Sequence, residues 1–149
     1  MAISISWEEC LQNNIRRIEP DYERAKSILK MCYIRKMSMP GPNDDNAFII
    51  IESYYEIVKE LLTATMALDG LKSNNHECLV RFFETKFKLE YEASIIQNLK
   101  NLRNRIQYEG YMPKKEFIER NKLELDHIIK LIRDKISESL DKTIHDKTI

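Results

Sequence analysis

A chain of 149 residues is long enough to bury a continuous apolar core as one domain without disulfide or metal support. Its 24 basic and 24 acidic residues cancel, which excludes a global positive field for gathering polyanions and leaves any nucleic-acid contact to a local patch. With only 3 Gly and 4 Pro against 43% hydrophobic and 32% charged residues, the punctuation that many short strands require is missing, and the composition reads as all-α.

The first helix is expected over residues 7–17, opened by Ser6 as N-cap with Glu9 at capping-box spacing. Pro20, suited to an early helical position, starts a second helix that carries Tyr22, Ala25, Ile28, Leu29, Cys32 and Met37 on one broad face. Residues 38–43 hold two prolines and a glycine, a stiff turn and not a domain linker. Asp44 or Asp45 caps a long third helix to about residue 68, with Ile51, Tyr54, Val58, Leu61, Thr65 and Leu68 alternating by three and four. Its opposite side, with Ile50, Tyr55, Ile57, Leu62 and Met66, is also apolar, as in a central helix packed on both sides or one that adds a dimer contact.

Gly70 ends that helix, and Asn74 with Glu77 opens a fourth through Cys78, Leu79, Phe82 and Phe83. A fifth carries Ala93, Ile96, Leu99, Leu102 and Ile106 to a stop at Gly110 and Pro113. A sixth presents Phe117, Leu125, Ile128, Ile132, Ile136 and Leu140, after which the polar tail 141–149 is expected to fray. The expected architecture is an antiparallel up-and-down bundle of five to six helices in a single domain over residues 1–149.

Cys10, Cys32 and Cys78 are odd in number, far apart and without a CxxC pair, so reduced, buried thiols are expected and neither a disulfide framework nor a zinc site. His76, His127 and His145 lack metal-ligand spacing, and no metal or cofactor is expected. The longest apolar run, residues 47–51, is far short of a membrane span, and the N-terminus lacks a signal-peptide pattern; a soluble, cytoplasmic protein with no membrane partner is expected. No Gly-rich phosphate loop, Ser/His/Asp order or HExxH pattern supports a kinase, hydrolase or metalloprotease.

Polar chemistry concentrates where the fifth helix must stop, in Arg103, Asn104, Arg105, Tyr108, Glu109 and Tyr111. In the plain reading, cations at a helix C-terminus complement the macrodipole. In the functional one, an exposed helix end hosts a site. If helices two to five alternate in direction, the end of the third, the start of the fourth and the end of the fifth share a pole, bringing His76 to Arg103, Asn104, Tyr108 and Glu109. His76 is otherwise an N-terminal-turn histidine bonded to nearby backbone.

The opening Ser6-Trp7-Glu8-Glu9, the aromatic helix through Tyr54-Tyr55 to Asp69-Gly70, His76-Glu77-Cys78-Leu79 and above all Leu102-Arg103-Asn104-Arg105-Ile106 resemble the HEPN superfamily, the higher eukaryotes and prokaryotes nucleotide-binding domain. The family signature is Arg, usually then a polar residue, with His four to six residues on. Arg103 and Asn104 match the first part, but Tyr108 stands in the place of the histidine.

The resemblance implies a small helical homodimer with an RNA- or nucleotide-phosphate cleft across the dimer axis and metal-independent ribonuclease activity in members with the full signature. Some members are toxins paired with a nucleotidyltransferase antitoxin. Arg103, Asn104 and Tyr108 are the implied catalytic residues, with Glu109 or His76 as stand-in bases, and Arg103, Arg105 and Tyr111 the implied substrate contacts. A histidine of pKa about 6.5 can take the 2′-hydroxyl proton at neutral pH, whereas a phenol of pKa about 10 stays protonated, so Tyr108 makes a poor base. It can still orient a phosphate or stack on a base. The departure therefore favours a phosphate-binding or degenerate ribonuclease, or a non-enzymatic interaction module that binds a nucleotide or a nucleotidyltransferase.

Overall fold

The computed structural model describes residues 5–147, with side chains described through residue 142. Among the described residues there are six helices and one two-stranded sheet, and no helix is long and apolar enough to cross a membrane. Helix α1 is Trp7–Asn13, with the Glu9 N–H donating to Ser6 Oγ at 3.1 Å as the capping box requires. It stops four residues earlier than expected. Asn13 and Asn14 are weak helix formers, and the chain turns into strand β1, Ile15–Arg17, which pairs antiparallel with β2, Leu71–Ser73. The small sheet is the exception to an otherwise all-α fold. Gly70 at φ 74° makes the turn into β2, where an added Cβ would stand 2.9 Å from the Ile18 carbonyl oxygen.

Helix α2 is Tyr22–Met37. Its N-cap is Asp21, whose carboxylate accepts from the Arg24 N–H, so Pro20 precedes the helix and does not lie within it. Helix α3, Ala47–Leu68, begins after Asn46 and neither Asp44 nor Asp45 caps it. Asn43 Oδ1 accepts the N–H groups of Asp45 and Asn46, and Asp44 instead accepts the N–H of Lys115, tying this turn to the start of α6. Helix α4, His76–Phe87, is capped by Asn75 and not Asn74, because Asn75 Oδ1 is the acceptor for the Cys78 N–H. Helix α5, Glu90–Glu109, ends as expected at Gly110, whose φ of 66° lets its N–H reach the Arg105 carbonyl. Helix α6, Lys115–Lys147, runs past the expected fraying point at 141; the Lys142–Glu138 pair adds helical i,i+4 support beyond Leu140.

Helix α3 is the axis of the core. Ile51, Tyr54, Ile57, Leu61 and Leu62 are all at most 2% exposed, and α2, α4, α5 and α6 each pack against it. Its all-round apolar surface is thus used inside the protomer, the first of the two uses its pattern allowed. Helix α2 runs antiparallel to it, with Asp21 N–H bonded to the Ala67 carbonyl at one end and the Cys32 thiol donating to the Ile57 carbonyl further along. Helix α5 is also antiparallel, placing Gln107 on Glu52.

Alternation breaks at α4. His76 lies against Tyr55 and Lys86 against Asp69, so α4 runs in the same direction as α3. The reason is the stretch 69–75. Extended, it reaches roughly 23 Å, enough to retrace the roughly 21 Å that α3 rises between residues 55 and 69.

That return also overturns the expectation for two cysteines. The β1–β2 pairing brings α1 and α4 together, and Cys10 and Cys78, both fully buried, form a disulfide with Cα atoms 5.7 Å apart. Their separation of 68 residues gave no sign of it. Cys32 is the buried free thiol, and burial first, with Glu60 adding to it, pushes its pKa up to about 11.

Candidate functional site

The last two turns of α5 distribute their polar residues over two flanks. Successive helical residues turn by about 100°, so Arg103 and Arg105 project roughly 160° apart and Tyr108 roughly 140° from Arg103. The expected cluster therefore divides. Arg103 faces α3 and α4, Arg105 faces α6, and Tyr108 stands between them, 80% exposed.

On the α3 and α4 flank the Arg103 guanidinium lies 5.2 Å from the centre of the Tyr55 ring, and its Nη1 donates to Asn104 Oδ1 at 3.3 Å. The Tyr55 hydroxyl is 2.9 Å from His76 Nδ1. Tyr55 is buried and the rise of its pKa to about 12 comes first from that burial, so the phenol is protonated at neutral pH and needs an acceptor. Nδ1 is that acceptor. The assignment puts the imidazole proton on Nε2, making the outer nitrogen of His76 a donor. Burial is the largest cause of the low pKa of His76, followed by the positive charges of Lys59, Arg103 and Lys100, with Glu56 opposing. His76 is thus held neutral.

Beside it, Glu77 accepts from Lys100 and from Gln97. Burial alone would raise the Glu77 pKa, but these hydrogen bonds and the Lys100 charge outweigh it and the carboxylate is held below its ordinary value. Lys100 is therefore matched by an anion.

The other flank borders a groove of about 870 Å³ between α5 and α6. There the Arg105 guanidinium stacks 4.0 Å from the centre of the Tyr111 ring, while its Nε pairs with Glu109 at 3.4 Å. Lys114, Glu116, Phe117 and Arg120 are among its other lining residues.

The structure brings His76 and Arg103 together through Tyr55 by the return of 69–75 along α3 and not by the expected alternation, and the end of α3, expected at the same pole, lies instead by Lys86 at the other end of α4. Asn104 joins Arg103, and Arg105 joins Tyr111 and Glu109. Within one protomer Tyr108 does not converge with Arg103. Sequence reading missed Tyr55, which it treated only as core. The available signal was a buried tyrosine, whose hydroxyl must find a partner. Among the described residues no group of three or more His, Cys, Asp or Glu side chains is arranged to hold a metal ion.

No protein-family model matches this chain, and no curated protein or solved structure matches it either.

Proposed function

We propose that this protein is a HEPN-like domain that binds the phosphates of RNA or a nucleotide, with Arg103 as anchor, and that it cleaves RNA weakly or not at all. The observation that carries the reading is the shared use of Tyr55, whose ring supports the Arg103 guanidinium and whose hydroxyl holds His76. A guanidinium and a neutral imidazole N–H at one half-buried place are both donors, which suits phosphate oxygens.

The same arrangement favours binding over cleavage. Attack by a 2′-hydroxyl needs a base, and the Nε2–H tautomer of His76 offers a proton where a lone pair is required. Tyr108 lies on another side of α5, exposed and apart from Arg103 and His76. A homodimer pairing the α5 faces that carry the half-buried Asn104 and the exposed Tyr108 would bring two Arg103 side chains to one cleft. Light scattering at tens of micromolar, the order of concentration at which an interface of standard size is populated, should report a dimer. A strict monomer there would remove the shared cleft from the proposal. Loss of RNA or nucleotide binding on Arg103→Ala, with unchanged helical circular dichroism, tests the anchor itself.

A further inference from the structure

At the opposite end of α4 from its C-terminus, a cleft of about 560 Å³ opens between the end of α1 with β1 and the turn from β2 into α4. Gln12, Asn13, Asn14 and Asn74 line it, and none of these amides makes a side-chain hydrogen bond among the described residues. Arg16 and Lys72 line it too. They are direct cross-strand partners in the β1–β2 pair and so sit on one face of the ribbon. Like charges placed directly opposite in an antiparallel pair destabilise it. Neither forms an ion pair among the described residues, and no carboxylate belongs to the lining. An uncompensated pair of cations beside free amides, in a chain whose total charge is zero, is a place prepared for an anion.

The walls are held in place. The β1–β2 pairing joins them on one side, and behind them the Cys10–Cys78 disulfide links α1 to the first turn of α4. The turn itself is fixed by Asn75 N–H on Ser73 Oγ and by the Asn75 cap on Cys78. Held walls reduce the ordering that a ligand would otherwise require.

We propose that this cleft binds a sugar phosphate, with Arg16 and Lys72 on the phosphate and the amides on the hydroxyls. The guanidinium fork matches two phosphate oxygens, and each amide offers a carbonyl acceptor and two N–H donors, the complement of a polyol. The volume lies in the small-molecule range of about 300–1,000 Å³. The site is independent of Arg103 and requires no second copy of the chain.

Titration with ribose 5-phosphate, inorganic phosphate and ribose, followed by calorimetry and by side-chain amide NMR shifts, tests it. Ribose 5-phosphate should bind most tightly and shift the amides of Asn13, Asn14 and Asn74. Arg16→Gln and Lys72→Gln should each weaken it roughly tenfold or more, the scale of a lost charge-assisted contact. Both variants should fold as stably as the parent or more so, since each relieves a like-charge pair. Arg103→Ala should leave this binding unchanged. Absence of binding at millimolar ligand, equal affinity for inorganic phosphate, or binding indifferent to both substitutions would overturn the proposal. So would an oligonucleotide that binds more tightly than ribose 5-phosphate at Arg16 and Lys72.

Discussion

The Tyr55 hydroxyl lies 2.9 Å from His76 Nδ1, across the gap between the central helix and the first turn of α4. The Arg103 guanidinium covers the same Tyr55 ring, so the two polar residues are coupled through one buried phenol, and the Arg103 charge disfavours protonation of the imidazole.

Arg103→Ala should raise the pKa of His76. Burial of the imidazole remains the main reason for its low value, but one of the three cations that disfavour its protonation is gone. The ring-proton chemical shifts of His76, followed by NMR through a pH titration, measure the change. An unchanged or lower midpoint would show that the guanidinium does not sense the imidazole.

Stability should fall on acidification in two stages. The folded-state pKa of His76 is depressed below its ordinary 6.5, so the unfolded chain takes up the proton first and stability present above that value is lost as pH falls through the folded one. Glu77, also depressed, from 4.5, has the same sign at lower pH, when the Lys100 and Gln97 hydrogen bonds lose their carboxylate. Urea midpoints measured from neutral pH down to about pH 3 should decline, and His76→Gln should remove the upper stage only. A midpoint that rises between pH 7 and about 5 would contradict the linkage.

Reduction of Cys10–Cys78 should lower stability by about 4 kcal/mol in the chain-entropy account, given a separation of 68 residues. Cys10→Ser with Cys78→Ser should behave as the reduced protein does. Denaturant unfolding with and without a thiol reductant gives the comparison. Coincident curves would mean that the bond contributes nothing to holding α1 against α4.

Much of the fold was legible because its signals are local. The Ser6 capping box, the α3 stripe and the Gly110 stop each depend on residues within a turn or two, and each appears where the pattern put it. What was illegible is long-range. Residues 15–17 were read as helix because their partner strand is more than fifty residues away, and nothing local announced the return of 69–75 along α3. The disulfide follows from that return, and so does the parallel course of α4. The candidate site shows the same division. Arg103 and His76 carry their chemistry in their identity, while Tyr55 looked like core until its hydroxyl was seen on His76, and the separation of Arg103 from Arg105 depends on which neighbours flank α5.

Restoring a histidine at the end of α5 should raise cleavage. In chelator, Tyr108→His should exceed the parent in rate on single-stranded RNA, because a matched base is worth on the order of 10²–10⁴ in rate. Adding Arg103→Ala to that variant should return it to background. An efficient parent enzyme slowed by Tyr108→His would mean that Tyr108 or a neighbour such as Glu109 performs the chemistry.

Fluorescence anisotropy of labelled single-stranded RNA with the parent protein and with Arg103→Ala, at fixed low salt and in chelator, addresses the phosphate anchor most directly. A charge-assisted contact to phosphate is worth about 1.5–3 kcal/mol, so the substitution should weaken binding roughly ten- to hundredfold while the helical circular dichroism stays the same. Binding by the variant as tight as that of the parent, or no binding by the parent at all, would contradict the account.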